Sequence, residues 1–260
     1  MISKSEFLKY FQCYKYLWLY KFKKDLISGE ISNQQQALFD EGYVFEDHVK
    51  KIFPNGFEIE GLYDEAVKNT KSAIEKGQKI LFQATAKTKS LYAMADIFIY
   101  NDKTNKWNIY EVKSSTSVKD IHLIDLAFQK ICFEEAGYEI GETNLVCANN
   151  KYIKKGKIDC KKLTSFNNIT KDVKDLIKDV HFDIKKALEL TKQKQEPDIK
   201  ILKQCKSPYE CPFISYCWKG FPEQNIYKIA GGLRIDKLED LLERGILDIK
   251  EIPEDYLTSR

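Results

Sequence analysis

Glu111 and Lys113 stand two residues apart at the end of an apolar stretch, NIYEVK, and an acid, Asp96, interrupts the equally apolar run AMADIFIY upstream. In a strand, residues i and i+2 share a face, so Glu111 and Lys113 point the same way. A hairpin turn centred between Lys103 and Thr104 pairs Tyr100 with Trp107 and sets Asp96 opposite Glu111, with Cβ atoms about 4.5 to 5.5 Å apart. Two carboxylates so placed among apolar neighbours destabilise the fold unless a cation stands between them. A divalent metal is one candidate. The other is Lys113 alone, neutralising one acid in a half-buried ion pair.

Downstream, His122, Asp125 and Gln129 recur at intervals of three and four, the spacing of one helix face. For His122 and Asp125 the expected setting is solvent. Gln129, flanked by Leu126, Phe128, Ile131 and Cys132, is expected to turn toward the acids. Upstream, His48 lies on another helical stretch, Asn33 to Phe53, which Pro54 ends.

The elements that must position these residues are legible in the periodicity. Ser3 and Glu6 have capping-box spacing before Phe7, Leu8 and Phe11, which predicts an opening helix; the aromatic-rich YKYLWLYKFKKDL predicts a second. From Lys79 to Ser114 the period becomes two, with turn residues at Lys87 to Lys89 and Asn101 to Asn105, giving three consecutive antiparallel strands. A helix over Asp120 to Ala136 and a strand, TNLVCAN, complete an α/β core. A long amphipathic helix follows from about Thr170 to Lys192, then a linker over Gln193 to Asp198, a cysteine-rich loop over Cys205 to Cys217, and a short helix ended by Gly245.

The chain of 260 residues, 43% hydrophobic and 31% charged, carries enough apolar surface for an ample core and excludes a disordered chain. Its net charge of +3 is too mild to announce a nucleic-acid partner. The first residues lack the apolar run of a secretory signal and no segment approaches a membrane span, so the expected location is the cytoplasm, without membrane contact. There, seven cysteines point to thiols or metal ligands, not disulfides. Cys132 and Cys147 sit in apolar contexts and read as core packing, Cys160 as a thiol without a role. The lysines of YIKKGKIDCKK, Tyr152 to Lys162, could line a nucleic-acid path or simply face solvent.

Together, Asp96, Glu111-Val112-Lys113, Gln129 and the upstream His48 resemble the motifs of PD-(D/E)XK nucleases of the RecB-like group, which includes CRISPR-associated four-cysteine exonucleases and AddB-type nucleases. The stretch from Tyr110 to Gly156, with CKSPYECPFISYC, looks similar to uncharacterised bacterial proteins whose N-terminal half is such a nuclease domain. The resemblance covers roughly Ile2 to Trp218. It implies a restriction-endonuclease-like αβββαβ core and a metal-dependent hydrolase cutting phosphodiester bonds in DNA, as an exonuclease on single strands or ends. By the same resemblance, Mg2+ or Mn2+ would be held by His48, Asp96, Glu111 and the Val112 carbonyl, while Lys113 orients or activates the attacking water and Gln129 positions DNA. One position departs from the pattern: Phe133 stands where the four-cysteine exonucleases typically carry a tyrosine.

The spacing of Cys205, Cys211 and Cys217 is a poor zinc signature. The resembled nucleases place a fourth cysteine upstream of the core, and Cys13 occupies that place. The resemblance therefore implies a structural 4Fe-4S cluster on Cys13, Cys205, Cys211 and Cys217, joining helical N- and C-terminal segments. The expected domains are a nuclease domain over 1–220 and a small helical appendage over 221–260. A further nuclease domain or protein partner is compatible with the resemblance. The alternative reading is a nucleic-acid-binding scaffold that keeps the nuclease fold without cutting.

Overall fold

In the computed structural model of the protein, the described residues are 1–27, 33–199, 203–205, 210–229 and 232–257; residues 206–209 of the expected cysteine loop lie outside them. In chain order the elements are β1 (Ile2–Ser3), α1 (Lys4–Gln12), α2 (Tyr14–Phe22), α3 (Asn33–Lys50), β2 (Phe57–Glu58), α4 (Asp64–Glu75), β3 (Ile80–Lys87), β4 (Leu91–Asn101) and β5 (Lys106–Lys113). There follow α5 (Asp120–Glu135), β6 (Ile140–Ala148), α6 (Cys160–Leu163), β7 (Thr164–Asn168), α7 (Thr170–Leu190), α8 (Ile214–Cys217), α9 (Ile235–Glu243) and α10 (Glu254–Leu257).

Two compact units divide the chain. One comprises Met1–Phe11 and Glu30–Gln193, the other Gln12–Gly29 and Lys194–Arg260. The stretch beyond residue 220 falls in the same unit as the cysteine-bearing segments.

The first unit is built on a seven-stranded mixed sheet in the order β2-β3-β4-β5-β6-β7, with β1 paired to β4 off this path. The meander β3-β4-β5 is antiparallel, as the period-two pattern predicts, and β5 and β6 are parallel because α5 carries the chain back between them. Alternation along the strands sends Ile97 and Val112 to one face, where they meet Phe45 and Val49 of α3, and sends Phe98 to the other, where its ring lies 4.8 Å from Phe133 of α5. The capping box expected at the first helix is present: Glu6 N donates to Ser3 Oγ at 3.2 Å and Ser3 N to Glu6 Oε2 at 2.9 Å.

Hairpin β4-β5 has the expected register. Tyr100 pairs with Trp107, their rings 5.2 Å apart. The ladder stops at Ile97 and Tyr110, one pair short of Asp96 and Glu111. Past that point β5 pairs with β6 through Glu111, Val112 and Lys113, while β1 takes up Leu91 and Tyr92 of β4. On its other side β4 pairs with β3 at Ile97–Phe82 and Ala95–Ala84, skipping Asp96 and the opposed Gln83. Gln83 has φ 56°, a left-handed conformation that costs a non-glycine residue about 1 kcal/mol or more. Asp96 thus sits where both ladders of β4 are interrupted.

In the second unit, Glu196 ties α2 to α8. Lys15 Nζ stands 2.7 Å from it, and Lys23 Nζ and the Tyr216 hydroxyl each donate to Glu196 Oε2 at 2.8 Å. A small core of Ile226, Leu241 and Ile252 supports the C-terminal turns.

Candidate functional site

The break in the ladders determines what Asp96 does. Its Oδ2 accepts a 2.7 Å hydrogen bond from the Val112 backbone N–H, a group that a continued ladder would have used otherwise. Burial pushes the Asp96 carboxyl above its usual range; the charges of Lys4 and Lys113 pull it down and that of Glu46 pushes it up. Glu46, on α3, is a carboxylate that no sequence motif singles out. It accepts from Gln83 Nε2 at 2.6 Å and pairs with Lys50 at 3.1 Å. The strained Gln83 backbone therefore aims a side chain that holds Glu46.

Glu111 is 1% exposed and surrounded by donors. Lys4 Nζ lies 2.9 and 3.1 Å from its two oxygens, Lys113 Nζ 2.5 Å from Oε1, and Gln129 Nε2 2.7 Å from Oε2. Asp125, also 1% exposed, accepts from the same Gln129 nitrogen at 3.0 Å and has Lys113 Nζ 3.1 Å and Lys4 Nζ 3.7 Å away. Burial opposes the charge of Lys113, yet Glu111, Asp125 and Asp96 outweigh it and hold the ammonium well above its ordinary range. Lys4 shifts the same way, against its own burial, under Asp125 and Glu111.

The structure thus brings Asp96, Glu111, Lys113 and Gln129 together and adds Lys4 and Asp125. The expectation that His122 and Asp125 face solvent is corrected. Asp125 is one turn before Gln129 and shares its inward face, and the 7%-exposed His122 caps α5, its Nδ1 accepting from Lys119 N at 3.2 Å. Gln129 is fully buried, its amide nitrogen donating to both carboxylates. His48 has its Nδ1 3.9 Å from Cys160 Sγ. Phe133, where the tyrosine would stand, is fully buried between Phe98 and Tyr138. Cys132 and Cys147 are core residues, as expected.

Among the described residues, no three His, Cys, Asp or Glu side chains form a ready metal cluster. The donor chemistry of the acidic site nevertheless fits a hard cation. Three buried or half-buried carboxylates, Asp96, Glu111 and Asp125, face two ammoniums, and one buried oxygen, Gln129 Oε1, lacks an aligned hydrogen-bond donor among the described residues.

In the second unit, Cys13, Cys205, Cys211 and Cys217 line one cavity of about 530 Å3. Cys13 caps the start of α2, Cys217 closes α8, and Cys211 N donates to Cys205 O at 2.8 Å. Burial, with a smaller contribution from neighbouring cysteines, raises Cys13 to about 11 and Cys211 to about 12. Such thiols are inert unless a metal takes their protons.

No family profile and no curated protein matches the chain. Among solved structures it is similar to the crystal structure of SSO0001, with 14% identity over 83% of this chain and 84% of that one and a TM-score of 0.40. It is also similar to an alkaline exonuclease (LHK-Exo) from Laribacter hongkongensis, with 10% identity over 74% of this chain and 87% of that one and a TM-score of 0.35. Both likenesses are too distant to carry an argument about activity.

Proposed function

We propose that this chain is a divalent-cation-dependent nuclease that hydrolyses phosphodiester bonds in DNA. The observation that carries the reading is the convergence of Asp96, Glu111 and Lys113 where both ladders of β4 are interrupted. A Mg2+ or Mn2+ ion held by Asp96 and Glu111, with the Val112 carbonyl, would supply a polarised phosphoryl oxygen and an acidified water. Lys113 offsets negative charge as it develops at phosphorus. Gln129 and Asp125 hold Glu111 and Lys113 in place, a positioning role in keeping with the burial of the Gln129 amide.

Substrate grip falls to the loop after β6. Lys151, Lys155, Lys157 and Lys162 line a cavity of about 500 Å3 with Tyr152 and Asp159. The loop is pinned by Asp159 N donating to the Tyr152 hydroxyl at 3.0 Å and Asn149 Nδ2 to Lys162 O at 2.9 Å. It leaves the sheet at Ala148, beside the end of β5 that carries Lys113. Phosphate contacts of this kind position a strand without reading its sequence.

The four cysteines of the second unit would hold a 4Fe-4S cluster with a structural role; a single cavity shared by all four supports this. A second reading, a DNA-binding scaffold that does not cut, is favoured by one observation: Lys4 and Lys113 already satisfy Glu111. Cleavage of end-labelled single- and double-stranded DNA with Mn2+, by protein purified without oxygen, separates the two. Cutting that vanishes in Glu111→Ala supports the nuclease; tight binding without cutting supports the scaffold.

A further inference from the structure

Lys4 belongs to no motif of the site, yet it makes the most extensive contact with Glu111. Its placement follows from the sheet. Once β5 leaves β4, β1 pairs Ile2 with Leu91 and Ser3 with Tyr92, and the next residue, Lys4, opens α1 within reach of Glu111 at the end of β5. A lysine at the first position of a helix is opposed by the helix dipole, so the position is maintained by what it faces. It faces Glu111 through both oxygens and Asp125 at 3.7 Å, with its side chain still 19% exposed. Lys113, with its side chain 31% exposed, differs in dividing its ammonium between the two acids, 2.5 Å from Glu111 and 3.1 Å from Asp125.

An ammonium on the carboxylate that a divalent ion requires repels that ion. Gln129 Oε1, which no aligned donor among the described residues satisfies, stands in the same cluster, and Asp125 Oδ2 keeps Lys113 at 3.1 Å when Lys4 moves. We infer that Lys4 is a displaceable counter-cation: it holds the cation's place at Glu111 and sets how tightly a divalent ion binds. This rests on the cation site of the proposed function. The partly exposed Lys4 side chain has a path outward, while Glu111 keeps Lys113 and Gln129 as partners during the exchange.

The test is Mn2+ binding, read by the electron spin resonance of free Mn2+, on the unsubstituted protein, Lys4→Gln and Lys4→Arg, with thermal unfolding of each metal-free protein. Lys4→Gln binds Mn2+ at least about tenfold more tightly and unfolds at a lower temperature without metal. Lys4→Arg, which keeps the charge, stays within about threefold of the parent affinity. Unchanged or weaker Mn2+ binding by Lys4→Gln overturns the inference and leaves the nuclease reading standing. Absence of Mn2+ binding by the unsubstituted protein sinks the cation site itself, and the inference with it. Should Lys4→Gln not fold, nitrogen-15 resonances of the lysine ammoniums in the unsubstituted protein decide the matter. Addition of Mg2+ releases one slowly exchanging ammonium, assigned with Lys4→Arg, whereas an ammonium that stays protected refutes displacement.

Discussion

In the first unit Glu111, Asp125, Lys4 and Lys113 close on one another within 4 Å, whereas in the second Cys13, Cys205, Cys211 and Cys217 stand around a cavity of about 530 Å3. The difference lies in the side chains. Carboxylates and ammoniums neutralise each other, and a buried site made of both can fold complete before any ligand arrives. Thiols carry no opposite charges with which to neutralise one another, and the four cysteines stand around an open space. One site is therefore closed by its own charges; the other is left open.

Breaking the ionic site has the largest expected effect. Glu111→Ala abolishes DNA cleavage, by at least about a thousandfold, and leaves two half-buried ammoniums facing Asp125 and Asp96, at a stability cost of up to about 3 kcal/mol. Parallel cleavage and urea-unfolding measurements check both parts. Cleavage that persists would remove Glu111 from the chemistry.

At the cysteine site, Cys211→Ala should eliminate the brown colour and the visible absorbance of protein purified without oxygen, and lower the unfolding temperature of the second unit. Iron analysis and spectra of parent and variant decide this. A colourless, iron-free parent would mean that the cavity takes something else.

A smaller effect is expected outside both sites. Replacing Lys151, Lys155, Lys157 and Lys162 by alanine leaves the fold unchanged, since these side chains point into the open cavity of the loop. The slope of log affinity for single-stranded DNA against log salt becomes shallower by about 0.7 for each phosphate that no longer meets a lysine, up to about 3 in all. Anisotropy titrations across salt concentrations measure it, and an unchanged slope removes the loop from the substrate path.

The smallest effect concerns pH. Burial pushes Glu196 up, but hydrogen bonds from Lys15, Lys23 and Tyr216 outweigh it and hold the carboxyl at about 2. A depressed carboxylate contributes stability above its ordinary pKa and loses it as pH falls through the folded value. The hold of Glu196 on α2 and α8 is therefore full above about 4.5 and fades toward pH 2. Glu196→Gln should flatten the pH dependence of second-unit unfolding across that window, and an unaltered profile would assign the acid sensitivity to other groups.

Much of the first site is legible along the chain. The turn between Lys103 and Thr104 and the Tyr100–Trp107 pair set the hairpin register, which brings Asp96 toward Glu111, and period two puts Lys113 on the face of Glu111. Asp125, like His122, is a residue whose expected solvation proves wrong. Its spacing to Gln129 is visible, but helical spacing alone does not say which way a face turns. Glu46 carries no signal of its own, because an acid two residues before His48 on an amphipathic helix reads as part of a solvated face.

The sequence by itself determined the principal helices and the three central strands, though not α4, β1, β2 or β7, together with the capping box at Ser3 and Glu6 and the pairing of acid and lysine on β5. These depend on neighbours within one turn, one strand or one hairpin, where periodicity is enough. Only the tertiary structure decided that β5 leaves β4 after Tyr110, that β1 takes its place, and that Lys4 arrives at a carboxylate 107 residues away. The reason is physical: a buried charge is answered by whichever counter-charge the fold carries to it, and no local pattern records which one that is.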